Sequence, residues 1–131
     1  MSSFITNRVG RFLFALPFGI FGIVHFLNAQ DLTAAVPDFI PGGTVWVYMT
    51  GIALLGASYA IVSQTRVYLV SLLLCGMILT FAFTVHLPGL FDGHPTALPN
   101  LLKDLSLAGG ALLLAGIYHD EPSSSGDSCT E

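Results

Sequence analysis

Four ionisable side chains, His25, His86, Lys103 and Asp104, stand at the edges of long apolar stretches that otherwise carry almost no charge. A charged group within a membrane span costs roughly 2.5–3.5 kcal/mol at the helix centre on insertion scales, and less near the interface. Neighbouring helical residues point about 100° apart, so Lys103 and Asp104 are not expected to neutralise each other. The histidines are the expected partners. A neutral imidazole donates and accepts at once, and a carboxylate beside it holds one tautomer. An ammonium such as Lys103 donates to a carbonyl oxygen or stabilises developing negative charge. The set suits a quinone head group or another small polar-headed lipid, exchanging protons at the outer face. Each member also has a plainer reading. Asp104 lies near a helix N-terminus, where the dipole favours anions. Lys103 can snorkel to the interface, and the histidines can be ordinary interhelical hydrogen-bond formers. Their convergence on one leaflet favours a binding site.

The elements that must position these groups are membrane helices. The 131 residues are 53% hydrophobic and only 9% charged, whereas a soluble domain carries about 25% charged residues. The net charge of −4 falls mostly in loops and tail and leaves no basic footprint for nucleic acid. Two cysteines, Cys75 and Cys129, form no CxxC motif and imply no disulfide framework.

Four apolar runs, at 9–27, 45–62, 67–86 and 99–118, each approach the ~20 residues that cross a ~30 Å hydrocarbon core. The first is longer than the 7–15 residues of a signal-peptide core, and Leu27-Asn28-Ala29 is a poor cleavage site, so it is read as a span. Pro17 is tolerable within it because neighbouring helices can satisfy the freed carbonyl. A polar lead at 1–8 precedes it, and a Ser-rich acidic tail at 119–131 is expected to be disordered. Pro- and Gly-containing loops at 28–44 and 87–98 join the first and last pairs of spans, and a tight turn at 63–66 joins the middle pair. Arg8, Arg11 and Arg66 fall on one side of this weave, while the long loops hold no Lys or Arg. The positive-inside rule therefore places both termini in the cytoplasm.

Residues at intervals of three and four mark inward faces: Ala15, Gly19, Gly22 and His25; Cys75, Leu79, Ala82 and His86; Asp104, Ala108, Ala111 and Ala115. Gly51, Gly56, Ala57 and Ala60 suit close approach in the second span, as Gly109, Gly110 and Gly116 do in the fourth. Both halves share an order of span, histidine, Pro-containing loop and span, in the manner of a duplicated hairpin. Asp92 and His94, with His86 and Asp31 or Asp38, match no strong metal template. Cys75 reads as a buried small hydrophobe and His119 as an exposed helix end.

Arg11 with G-I-F-G-I-V-H-F (19–26), V-P-D-F-I-P (36–41), W-V-Y-M-T-G (46–51), His86 with Pro88, and L-L-K-D-L-S-L-A-G-G-A (101–111) together resemble the DoxX-like family of small four-span membrane proteins. The likeness covers roughly residues 9–118. It implies a membrane bundle acting as a component of a quinone-linked oxidoreductase. His25, Pro37, Pro41, Trp46, Gly51, His86, Lys103 and Asp104 stand where the family pattern has its characteristic residues. No haem, flavin or iron–sulfur motif is present, so redox chemistry would need a quinone or a partner redox subunit. The expectation is an all-α, four-transmembrane-helix bundle, both termini cytoplasmic, multi-pass in a bacterial inner membrane, with a homo-oligomer left open. It would bind quinone through His25, His86, Lys103 and Asp104, with Trp46 as a wall. The rival is a non-enzymatic scaffold or assembly factor whose polar cluster only fixes helix register; a small transporter is a third reading.

Overall fold

The computed structural model describes residues 3–119, and these are helical with no strand among them. Helix α1 spans Ser3–Leu27, α2 Ala29–Thr33, α3 Gly43–Val62 and α4 Val67–Phe81. A π-helical turn, Ala82–His86, runs from α4 into α5 (Leu87–Phe91), and α6 spans Ala97–Ile117. Four stretches, Ser3–Leu27, Gly43–Val62, Val67–Phe91 and Ala97–Ile117, are long and apolar enough to cross a membrane. Leu13, Leu73 and Leu113 stand exposed on their outer faces, as lipid-facing positions of a multi-pass membrane protein do.

The polar lead expected at 1–8 is already helical from Ser3. The third span does not end at His86. The wide turn carries the helix through to Phe91, with Pro88 in the first turn of α5. The loop expected at 28–44 holds the short α2, while residues 120–131 of the expected tail lie outside the described residues.

Helix α1 packs along α3, and α4 packs along α6, while α3 and α4 meet more sparsely. Each half therefore runs long helix, five-residue helix, connection, long helix. The α1–α3 seam closes on glycine. A Cβ on Gly22 would lie 3.0 Å from the Gly51 carbonyl oxygen, and one on Gly51 would lie 3.2 Å from that of Gly22. Such reciprocal approach of backbones is what small residues permit between membrane helices. The small-residue faces of α4 and α6 pack as expected, with Cys75, Ala82, Ala108, Ala111 and Ala115 buried. Gly56, Gly109 and Gly116, expected to serve close approach, instead face open space. Gly110 meets the ring of Phe14 on α1. Ala15, Phe18, Leu54, Ile61, Leu74 and Ile78 form the apolar middle of the bundle.

Candidate functional site

Between the two helix pairs, at the end that carries the long connections, lies a cavity of about 590 Å³. That size falls within the range of small-molecule sites, ~300–1,000 Å³. Its walls are largely apolar and come from all four long helices, and the α2–α3 connection lies across it with Val36, Pro37 and Ile40. Thr33 fixes this connection: its hydroxyl donates to the Ala29 carbonyl at 2.7 Å and lies 3.0 Å from the Thr44 hydroxyl. Gly42, at φ 77°, takes the left-handed conformation that turns the chain into α3. Trp46 donates its indole N–H to the Pro41 carbonyl at 3.1 Å, so it lines the cavity with its polar edge already committed.

His25, Trp46, His86, Lys103 and Asp104 all line this one cavity. Asp104 is 6% exposed, and its Oδ2 lies 3.2 Å from His86 Nε2. The π turn makes this contact by carrying His86 round toward α6. Asp104 Oδ1 lies 3.6 Å from Lys103 Nζ. That second contact corrects the expectation that adjacent residues could not pair. The backbone directions do diverge, but the lysine side chain is long enough to curl back, and its ammonium also sits 5.6 Å from the centroid of the Phe21 ring. The carboxylate thus has a basic neighbour at each oxygen. His25 joins the cavity but not this contact: its Nδ1 lies 2.7 Å from the Phe21 carbonyl oxygen, one turn back on α1. A carbonyl only accepts, so Nδ1 carries the proton.

Thr80 and Thr84 reach the cavity, yet their hydroxyls donate to Gly76 and Thr80 carbonyls at 2.8 and 2.6 Å. Cys75 is buried and unpaired, as expected of a small hydrophobe. Asp92 and His94 belong to no cluster of three metal-ligating side chains among the described residues. His119 is exposed at the helix end and packs edge-on against Tyr68.

The opposite end holds a feature not expected from the sequence. Arg11, counted there only with Arg8 and Arg66 toward the charge on one side of the weave, is 7% exposed and points inward. Its Nη1 donates to the Tyr118 hydroxyl at 2.8 Å. With the Gln64 amide oriented so that its oxygen faces the guanidinium, Gln64 accepts from both Nη1 and Nη2, the latter at 2.8 Å. Among the described residues, Arg11 Nε and the wholly buried Ser71 hydroxyl have no hydrogen-bond partner. The signal was present: Arg11 lies four residues before Ala15, on the inward stripe that continues to Phe18 and Gly22.

A mostly apolar chamber between membrane helices, with a carboxylate, an ammonium and two imidazoles at one end, can hold a molecule whose body is greasy and whose head hydrogen-bonds. No family model matches the chain, and neither a curated protein nor a solved structure shows a similarity to it.

Proposed function

We propose that this protein binds a quinone or similar polar-headed lipid in the cavity between its helix pairs, as the membrane subunit of a quinone-linked oxidoreductase. The observation that carries the reading is the His86–Asp104–Lys103 cluster on the wall of an apolar chamber of about 590 Å³. Ionisable groups inside membrane segments are expensive to keep and mark functional sites. In this reading a ring head group sits between Trp46 and the cluster, with its isoprenoid tail along the apolar wall. The resemblance to the DoxX-like family points the same way. In this reading both termini lie in the cytoplasm of a bacterial inner membrane, and electrons come from a partner redox subunit.

A second reading has its own support. Both Asp104 oxygens already have basic neighbours, so the cluster could serve only to pin the π turn against α6, as in a scaffold or assembly factor. The two separate on one experiment. Protein purified in mild detergent from quinone-replete membranes should carry quinone, measured by organic extraction and mass spectrometry. Asp104→Asn and His86→Phe should lose it while still unfolding cooperatively on heating. Quinone-free wild-type protein would overturn the binding role. Variants that lose stability but keep their quinone would favour the scaffold.

A further inference from the structure

We infer that the cavity is built for the reduced, dihydroxy form of its ligand, a hydroquinone-type head group, in preference to the oxidised quinone. The inference rests on the binding role proposed above and names the redox form that the site favours.

The hydrogen-bonding inventory of the site carries it. His25 Nδ1 donates to the Phe21 carbonyl, so the neutral ring has only Nε2 left, and that nitrogen accepts. His86 gives its Nε2 edge to Asp104 Oδ2, and as the neutral ring it keeps Nδ1 as an acceptor. Among the described residues neither remaining nitrogen has a partner. The Trp46 N–H is committed to Pro41, and the Thr80 and Thr84 hydroxyls to backbone carbonyls. Both Asp104 oxygens face a histidine or an ammonium. What the titratable side chains offer a ligand is therefore two imidazole lone pairs and the spare hydrogens of the Lys103 ammonium; Asn100 and Thr50 also line the cavity, but each can donate or accept and so does not tell the two forms apart.

A quinone presents two carbonyl oxygens that can only accept. It suits Lys103 but has no O–H to give either imidazole lone pair. A hydroquinone presents two O–H donors, one for each histidine, and either of its oxygens can still accept from Lys103. The form that leaves neither imidazole acceptor unmatched binds more tightly, by about tenfold or more. Linkage then fixes the sign for the bound couple. Tighter binding of the reduced form raises its reduction potential above that of the free molecule, by 29.6 mV for each tenfold in a two-electron couple.

Trp46 is the chain's single tryptophan and lines the cavity, so its fluorescence reports occupancy directly. The probes are a decyl-substituted benzoquinone, which quenches Trp46, and its hydroquinone, titrated under argon as a competitor. The expected result is a hydroquinone Kd at least tenfold below that of the quinone, with His25→Phe and His86→Phe each narrowing the ratio. Equal affinities, or a tighter quinone, would overturn the inference while leaving the binding role intact. Failure of both forms to bind would overturn the two together. A preserved ratio in both folded phenylalanine variants would overturn the assignment to the histidines. The wild-type ratio decides the main point even if a variant does not fold.

Discussion

The two helix pairs share a plan but are held together by different physics. In the α1–α3 pair glycines let the helices approach closely: a Cβ on Gly22 or Gly51 would meet side chains of the facing helix at 2.6–2.9 Å and the other glycine's carbonyl at 3.0–3.2 Å. The α4–α6 pair has no such contact, and its Gly76, Gly109 and Gly116 face open space. It packs through alanines and Cys75, and at the cavity end it joins through the His86–Asp104 contact at 3.2 Å. One pair is closed by shape and the other by chemistry. The lesson is a division of labour. The sterically locked pair supplies a firm wall, and the polar pair carries the groups that can exchange protons.

That contrast can be broken or sharpened by substitution. The largest effect is expected at the glycine seam. Gly22→Leu or Gly51→Leu forces the backbones apart and should cost about 3 kcal/mol, read as a shifted unfolding midpoint in detergent. Asp104→Ala should cost about 2 kcal/mol by the same measurement, since it removes a buried hydrogen-bond acceptor of charged or potentially charged partners. If Asp104→Ala proved the costlier change, the polar pair would be the real clamp and the comparison would invert. Arg11→Met tests the tie between the pairs, because Arg11 of α1 bonds Tyr118 just beyond α6. Its hydrogen-bond partners are neutral, and an apolar side chain of similar length avoids burying a charge, so the change should stay within about 1 kcal/mol of wild type. Lys103→Gln should be smallest. With the lysine side chain 46% exposed, its contact with Asp104 is screened and worth only a few tenths of a kcal/mol. Its larger consequence is expected in ligand affinity.

Much of this plan was legible in the sequence because membrane spans announce themselves by length and lack of charge. The inward stripes were legible too: Ala15 and Gly22, Cys75 and Ala82, and Asp104 to Ala115 all lie on buried faces. The shared cavity of His25, Trp46, His86, Lys103 and Asp104 followed from topology, since alternating spans bring those helix ends to one side. What stayed hidden has physical reasons. The Lys103–Asp104 contact depends on side-chain reach rather than backbone direction. The roof over the cavity depends on how Val36, Pro37 and Ile40 fold back, which no periodicity encodes. The Arg11–Tyr118 tie stayed hidden because arginine near a helix start serves equally well as an interfacial anchor and as a buried tie. Nothing in Ala-Phe-Thr-Val-His marks residues 82–86 as a π turn.

That turn acts as a phase shifter. An α-helix advances about 100° per residue, and a wider turn holds one residue more than an ordinary one before the spiral resumes. Everything beyond Ala82 is therefore rotated by about one step relative to Cys75 and Ile78 below it, with little change in the length of the apolar rod. Were residues 82–86 wound at the ordinary pitch instead, the rod would be uniform and would aim its imidazole about 100° away from the carboxylate. The helix would still cross the bilayer, but the proposed binding chamber would lose one of its two proton acceptors.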